Sequence, residues 1–268
     1  MLPIFYDKIP IENADALLSK FIGKALQSPT RSTVPLLDIV LHAPQHLLSI
    51  LDKCGAEPGS ELRFEYEVCS GAGSARPSQT DLMVLGRSTA VAVEAKWTES
   101  TYECVATRLK RRTELRRKDP SAEAKALDRE HQEAEVRAWL ARLQPLAAET
   151  LATAGMVDVV YQMIHRAASA VATGLSPSLL YLHFHDPENQ QGASAADYRV
   201  GLAHLYQKLG RPLSFAFFVA TQPIERTTVF RSIEGLSRTD SSTRAAVREA
   251  LMAGPLFRYG AAAIEKVE

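Results

Sequence analysis

Apolar residues recur along this chain in two rhythms. Over residues 1–60 the spacing is mostly helical. Leu17, Leu18, Phe21, Ile22 and Ala25 fall on one face of a helix that Asn13 can cap and Ser28-Pro29 would end. A second helical stretch covers 35–51, with a break expected at Pro44. The rhythm then changes to period two. Over 61–69, Leu62, Phe64, Tyr66 and Val68 alternate with Arg63, Glu65, Glu67 and Cys69, which predicts a strand with those two sets on opposite faces. Residues 71–79 are rich in Gly, Ser and Pro and read as a loop.

Two strands joined by a tight turn follow over 80–98, with Gly86-Arg87-Ser88-Thr89 supplying the turn. Beyond them the pattern predicts a long charged helical segment over 102–143, interrupted at Asp119-Pro120. A strong amphipathic helix over 149–173 has Val157, Val160, Tyr161, Ile164, Ala168 and Val171 on its apolar face and Gln162, Arg166 and Ser169 on its polar face. Strands are expected over 178–185 and 213–221, the latter apolar throughout and so central, with an edge strand over 228–233. Helices are expected over 195–209, ended by Gly210, and over 243–253, ended by Gly254-Pro255. No repeat or linker interrupts the series, so one α/β domain over 1–268 is predicted. It comprises N-terminal helices (1–60), a three-strand core (61–98), a helical insertion (99–148) and the remaining helices and strands (149–268).

The hairpin carries polar residues at chosen places. Glu94 and Lys96 share a face with Ala90 and Ala92, while Val91, Val93, Ala95 and Trp97 share the other. If Leu85 pairs with Ala90, then Met83 pairs with Ala92 and Asp81 stands opposite Glu94. Opposed like charges destabilise a sheet. Lys96 offsets part of that repulsion, and a hard divalent cation would offset more.

Asp81, followed after a hairpin by Glu94-Ala95-Lys96 on an apolar strand, resembles the PD-(D/E)xK nuclease superfamily, with Thr80 where that motif has its leading Pro. The resemblance implies a restriction-endonuclease-like α/β fold: a mixed central sheet flanked by helices, with a charged helical insertion after the third strand. It implies divalent-metal-dependent hydrolysis of phosphodiester bonds, in DNA before RNA. Asp81, Glu94 and the backbone carbonyl of Ala95 would hold Mg²⁺ or Mn²⁺, and Lys96 would position the attacking water and steady developing negative charge. By the same resemblance a helix after this strand supplies a further polar group, for which Gln162, His165 and Arg166 are candidates. An additional acid is open among Glu67, Glu65, Glu12 and Asp38. The residues also admit a plain salt-bridge cluster, or a nuclease-like chain that only binds nucleic acid or serves as an accessory subunit.

Charge refines the choice of partner. Lys plus Arg and Asp plus Glu each number 31, so any nucleic-acid surface has to be a local patch. Arg108, Lys110, Arg111, Arg112, Arg116, Arg117 and Lys118 form one basic run. They read either as a phosphate-tracking patch or as a solvated face paired with Glu123, Asp128, Glu130, Glu133 and Glu135. A homodimer or a partner subunit is also compatible with this chain. The three cysteines, Cys54, Cys69 and Cys104, form no CxxC pair and fit a reducing, cytoplasmic setting. No secretory leader or membrane span is expected. His183 and His185 share a strand face beside Asp186, and strand-end polarity is preferred there over a transition-metal pair.

Overall fold

The computed structural model describes residues 3–21, 25–72, 77–115 and 122–268, with 111–115 and 122–129 described by backbone alone. A small hairpin of β1 (Ile4–Tyr6) and β2 (Ile9–Pro10) precedes α1 (Ala14–Lys20), α2 (Thr33–His42) and α3 (Pro44–Lys53). Then come β3 (Glu61–Val68), β4 (Ser78–Leu85) and β5 (Thr89–Lys96), followed by α4 (Val105–Leu115), α5 (Ala122–Leu143) and α6 (Tyr161–Val171). The chain continues through β6 (Ser176–His185), α7 (Ala195–Lys208) and β7 (Ala216–Arg226). It closes with α8 (Thr228–Arg231), α9 (Thr243–Ala253), β8 (Phe257–Tyr259) and β9 (Ala263–Val267).

These strands form one mixed sheet in the order β2-β1-β3-β4-β5-β6-β7-β8, with β9 also on β7. β3, β4 and β5 are antiparallel neighbours, whereas β5, β6 and β7 run parallel. Helices cover both faces, because both faces are apolar. Leu82, Val84, Val91, Val93, Ala95 and Trp97 pack with α1, α2, α3 and α9. Met83, Ala90, Ala92, Leu179 and Tyr181 pack with α5, α6 and α7. The hairpin register is the expected one, Leu85↔Ala90 and Met83↔Ala92. Glu57 fixes its turn by accepting the N–H groups of Arg87 at 2.5 Å and Ser88 at 3.2 Å. No single described helix is long and apolar enough to cross a membrane.

Several expectations are corrected. Residues 4–10 extend the sheet instead of joining the helical region, since β1 pairs with β3. The helix capped by Asn13 stops at Lys20, well before Ser28-Pro29. Residues 228–231 are one helical turn, capped by the Thr227 hydroxyl, and the edge positions beside β7 belong to β8 and β9 at the chain end. The helix expected over 149–173 is α-helical only from Tyr161: Thr153–Met156 form a separate 3₁₀ turn, and Val160, extended and bridged to Cys104, separates the two. The interruption at Asp119-Pro120 lies outside the described residues.

The correction that shapes the site concerns β3. Its side chains do not alternate throughout. Leu62 and Phe64 face the α1–α3 layer, but Tyr66 and Val68 face the α6 layer. Glu65, between them, has a left-handed backbone with φ 49°. That one residue turns the strand over, and a period-two pattern in sequence cannot register it.

Candidate active site

The site forms where β4 leaves β5. Gly86 N–H donates to Thr89 O at 2.8 Å, and antiparallel alternation from that bond makes Thr80 and Ala95 the hydrogen-bonded pair next after Leu82↔Val93. The ladder ends first. Asp81 Oδ2 accepts the Ala95 N–H at 2.9 Å in place of a backbone carbonyl. The N–H and C=O of a strand residue point to the same edge, so the Ala95 carbonyl is directed toward Asp81 as well. On its other edge β5 stays paired, with Glu94↔Tyr181 and Lys96↔His183.

Glu94 and Lys96 are 2% and 1% exposed, so their charges are matched inside the protein. Lys96 Nζ donates to Glu94 Oε1 at 2.7 Å, and Gln162 Nε2 donates to the same oxygen at 2.7 Å. Arg166 Nε donates to Oε2. Lys96 Nζ also stands 4.2 Å above the Tyr102 ring. The polar stripe of α6 is therefore turned onto the sheet. Gln162, Arg166 and Ser169, the polar face expected of this helix, are all buried.

Arg166 is itself held. Its Nη1 donates to Ser78 Oγ at 2.7 Å, and that hydroxyl lies 2.8 Å from His165 Nδ1. A guanidinium only donates, and Arg166 Nη1 also approaches Nδ1 at 3.3 Å. Nδ1 is thus the acceptor, Ser78 donates to it, and His165 is neutral. Burial, and after it the Arg166 charge, holds His165 well below the usual imidazole range.

The two carboxylates part company. Burial alone would raise Glu94, but Arg166 and Lys96 overrule it and hold the group below its ordinary value. Burial and then Glu94 push Asp81 well above the usual range, and the same cations offset this only in part. Lys96, opposed by burial but supported by Glu94, ends above the ordinary lysine value. Like-charge neighbours with separated affinities for protons are a feature of working sites.

Other candidates fall elsewhere. Glu67 is exposed, takes a hydrogen bond from Gln79 Nε2 at 2.9 Å, and points away from the face that Tyr66 and Val68 present to α6. Glu12 is exposed ahead of α1. Asp38 is buried on the opposite side of the sheet. Asp186, beside His183 and His185, is taken by Arg226 at 2.7 Å. Arg108 pairs with Glu135 at 3.4 Å and caps the Tyr161 ring at 3.8 Å, so one member of the basic run is internal. The side chains of Arg111, Arg112, Arg116, Arg117 and Lys118, and those of Glu123 and Asp128, lie outside the described residues. Sequence reading missed Ser78, placed in a loop, and Tyr181, whose hydroxyl reaches Gln162 Oε1 at 3.5 Å. Tyr181 shares strand parity with His183, which was the available signal.

Among the described residues no three His, Cys, Asp or Glu side chains enclose a metal by themselves. The donor chemistry still suits a hard cation. Asp81 keeps part of its surface open, and its second oxygen takes no hydrogen bond from a described residue. The Ala95 carbonyl lies on the same strand edge as the N–H that Asp81 accepts. Such cations take one or two carboxylates and keep several waters. Glu94 would join only by yielding one of its present donors.

A family described as "Domain of unknown function (DUF6946)" matches residues 10–214. No curated protein and no solved structure matches the chain.

Proposed function

The chain belongs to the DUF6946 family, whose description names no activity, and we propose from the site itself that it is a divalent-metal-dependent nuclease acting on DNA in preference to RNA. The carrying observation is the convergence of Asp81, Glu94 and Lys96 where β4 separates from β5, with Gln162 and Arg166 brought onto Glu94 from α6. The antiparallel β3–β4–β5 meander, followed through α6 by the parallel β6, supports a restriction-endonuclease-like core.

Asp81 and the Ala95 carbonyl, joined by Glu94, would hold Mg²⁺ or Mn²⁺. When bound, the ion supplies Lewis-acid polarisation of a phosphoryl oxygen and a lowered pKa for its water. Lys96 remains an ammonium at neutral pH, because Glu94 raises its affinity for protons. It therefore donates hydrogen bonds to water and to developing negative charge, and does not act as a base. Arg166, tethered by Ser78, keeps Glu94 ionised and oriented. Gln162 fixes the rotamer of the same carboxylate.

The experiment is cleavage of plasmid, linear duplex and single-stranded DNA, and of RNA, with Mg²⁺ or Mn²⁺, comparing wild type with Asp81→Ala. Cutting by wild type alone supports the proposal; equal cutting by both removes the site from it. A second reading, a nuclease-like chain that only binds, is favoured by one observation: both oxygens of Glu94 are already engaged by Lys96, Gln162 and Arg166. Salt-dependent nucleic-acid binding without metal-dependent cleavage would select it.

A further inference from the structure

We infer that Tyr102 covers this site: its ring shields the Lys96 ammonium in the free chain, and a phosphate of the incoming nucleic acid takes the ring's place there; the inference rests on the nuclease reading above. Lys96 is 1% exposed, and a lysine ammonium carries three N–H donors. Glu94 Oε1 accepts one of them at 2.7 Å. The centre of the Tyr102 ring lies 4.2 Å from Nζ, and that of the Tyr181 ring 5.9 Å. Glu94 is 2% and Tyr181 1% exposed, whereas Tyr102 is 44% exposed. Of these neighbours Tyr102 alone reaches solvent, so the way to the ammonium passes its ring.

The backbone around Tyr102 lets the ring move while its ends stay fixed. Upstream, the Glu99 carboxylate accepts the N–H groups of Ser32 at 3.1 Å and Trp97 at 2.8 Å. Its carbonyl accepts the Ala193 N–H at 2.9 Å and the Tyr198 hydroxyl at 3.2 Å. Downstream, the Glu103 carbonyl accepts the Tyr161 N–H at 3.1 Å, and the Val105 N–H donates to Val159 O at 3.0 Å. Ser100, Thr101 and Tyr102, between these anchors, lie outside helix and strand, and no hydrogen bond among the described residues holds their backbone. Charge names what displaces the ring. A contact between an ammonium and an aromatic face is weaker than a charge-assisted hydrogen bond from the same ammonium to a phosphate oxygen. Water carries no such charge, so an anionic strand opens the site and solvent does not.

The test has two arms, both on the full chain, comparing wild type with Tyr102→Ala and Tyr102→Phe. In the first, a small amine-acetylating reagent is added without nucleic acid, and the rate at Lys96 is read by peptide mass spectrometry against the exposed Lys53. Lys96 should label about fivefold faster in Tyr102→Ala, and at the wild-type rate in Tyr102→Phe, which keeps the aromatic face. In the second, cleavage kinetics with Mg²⁺ should show KM about fivefold lower in Tyr102→Ala, because the strand no longer has a ring to displace, with KM moving more than kcat. Tyr102→Phe should again match wild type. A raised KM in Tyr102→Ala would make the ring a hold on the substrate instead of a cover, and overturns the inference. If wild type cuts but Lys96 labels alike in wild type and Tyr102→Ala, only the inference falls. If wild type cuts no nucleic acid, the nuclease reading falls and takes the displacing phosphate with it.

Discussion

Asp38 and Glu94 are both buried carboxylates, one on each side of the same sheet, and they are satisfied in opposite ways. Asp38 accepts the backbone N–H groups of Leu256 at 2.7 Å and Phe257 at 3.3 Å, and the Tyr259 hydroxyl at 2.7 Å. The His42 ring lies 4.0 Å away, and no lysine or arginine among the described residues forms an ion pair with Asp38. It ties α2 to β8, and burial leaves its carboxyl above the ordinary range. Glu94 accepts only side-chain donors, two of them cations. An acid that pins the start of a strand needs backbone donors and tolerates protonation. An acid kept charged among movable donors is arranged for a ligand, and movable donors are what a ligand can displace.

That contrast breaks most readily at Glu94. Glu94→Gln leaves Lys96 and Arg166 buried without their counter-charge, and should cost about 3–5 kcal/mol of stability as well as all metal-dependent cleavage. Denaturant unfolding and the cleavage assay check both. Lys96→Met should be gentler on the fold, since Glu94 keeps Arg166 and Gln162. Its cleavage rate should still fall by about 10²–10³, and undiminished cutting would remove Lys96 from the chemistry. Asp38→Asn, the control across the sheet, should destabilise by about 1–3 kcal/mol through its backbone partners. Any folded Asp38→Asn protein should cut at the wild-type rate.

The smallest effect is a difference in slope with pH. Glu94 is held low in the folded chain, so its contribution to stability is present above its ordinary value of 4.5 and is lost as pH falls through the lower folded value. Asp38 is held high, so its contribution appears as pH falls toward its ordinary value of 3.8 and disappears as pH rises. Unfolding midpoints across the acid range should lose part of their acid-side decline in Glu94→Gln and steepen it in Asp38→Asn. Parallel curves for both variants would erase the distinction between the two acids.

Much of the site was legible before any coordinates. Turn chemistry at Gly86-Arg87-Ser88-Thr89 and alternation in β5 gave the register as far as Leu82↔Val93 and the two faces of the strand, whereas the expected Asp81–Glu94 pair does not form, because Asp81 takes the Ala95 N–H instead. The reversal of β3 was not legible, since Glu65 and Glu67 sit on the same face of an ideal strand and only the left-handed backbone at Glu65 turns the strand over. The polar stripe of α6 was legible as a stripe, and its candidates Gln162 and Arg166 do meet Glu94. Periodicity reports which residues share a face, but not whether that face meets water or a buried carboxylate.

Local spacing along the chain was enough to determine the β3–β4–β5 meander, the amphipathic helices and the Asp81, Glu94, Lys96 constellation, because each depends on residues close in sequence. Only tertiary structure decided that Arg166, Ser78 and His165 form one hydrogen-bonded chain behind Glu94, that β3 turns over at Glu65, and that β8 and β9 complete the sheet. The Glu94–Arg166 and Arg166–Ser78 contacts join residues 72 and 88 positions apart. Side-chain geometry across such separations is set by how the layers pack, and no local pattern carries it.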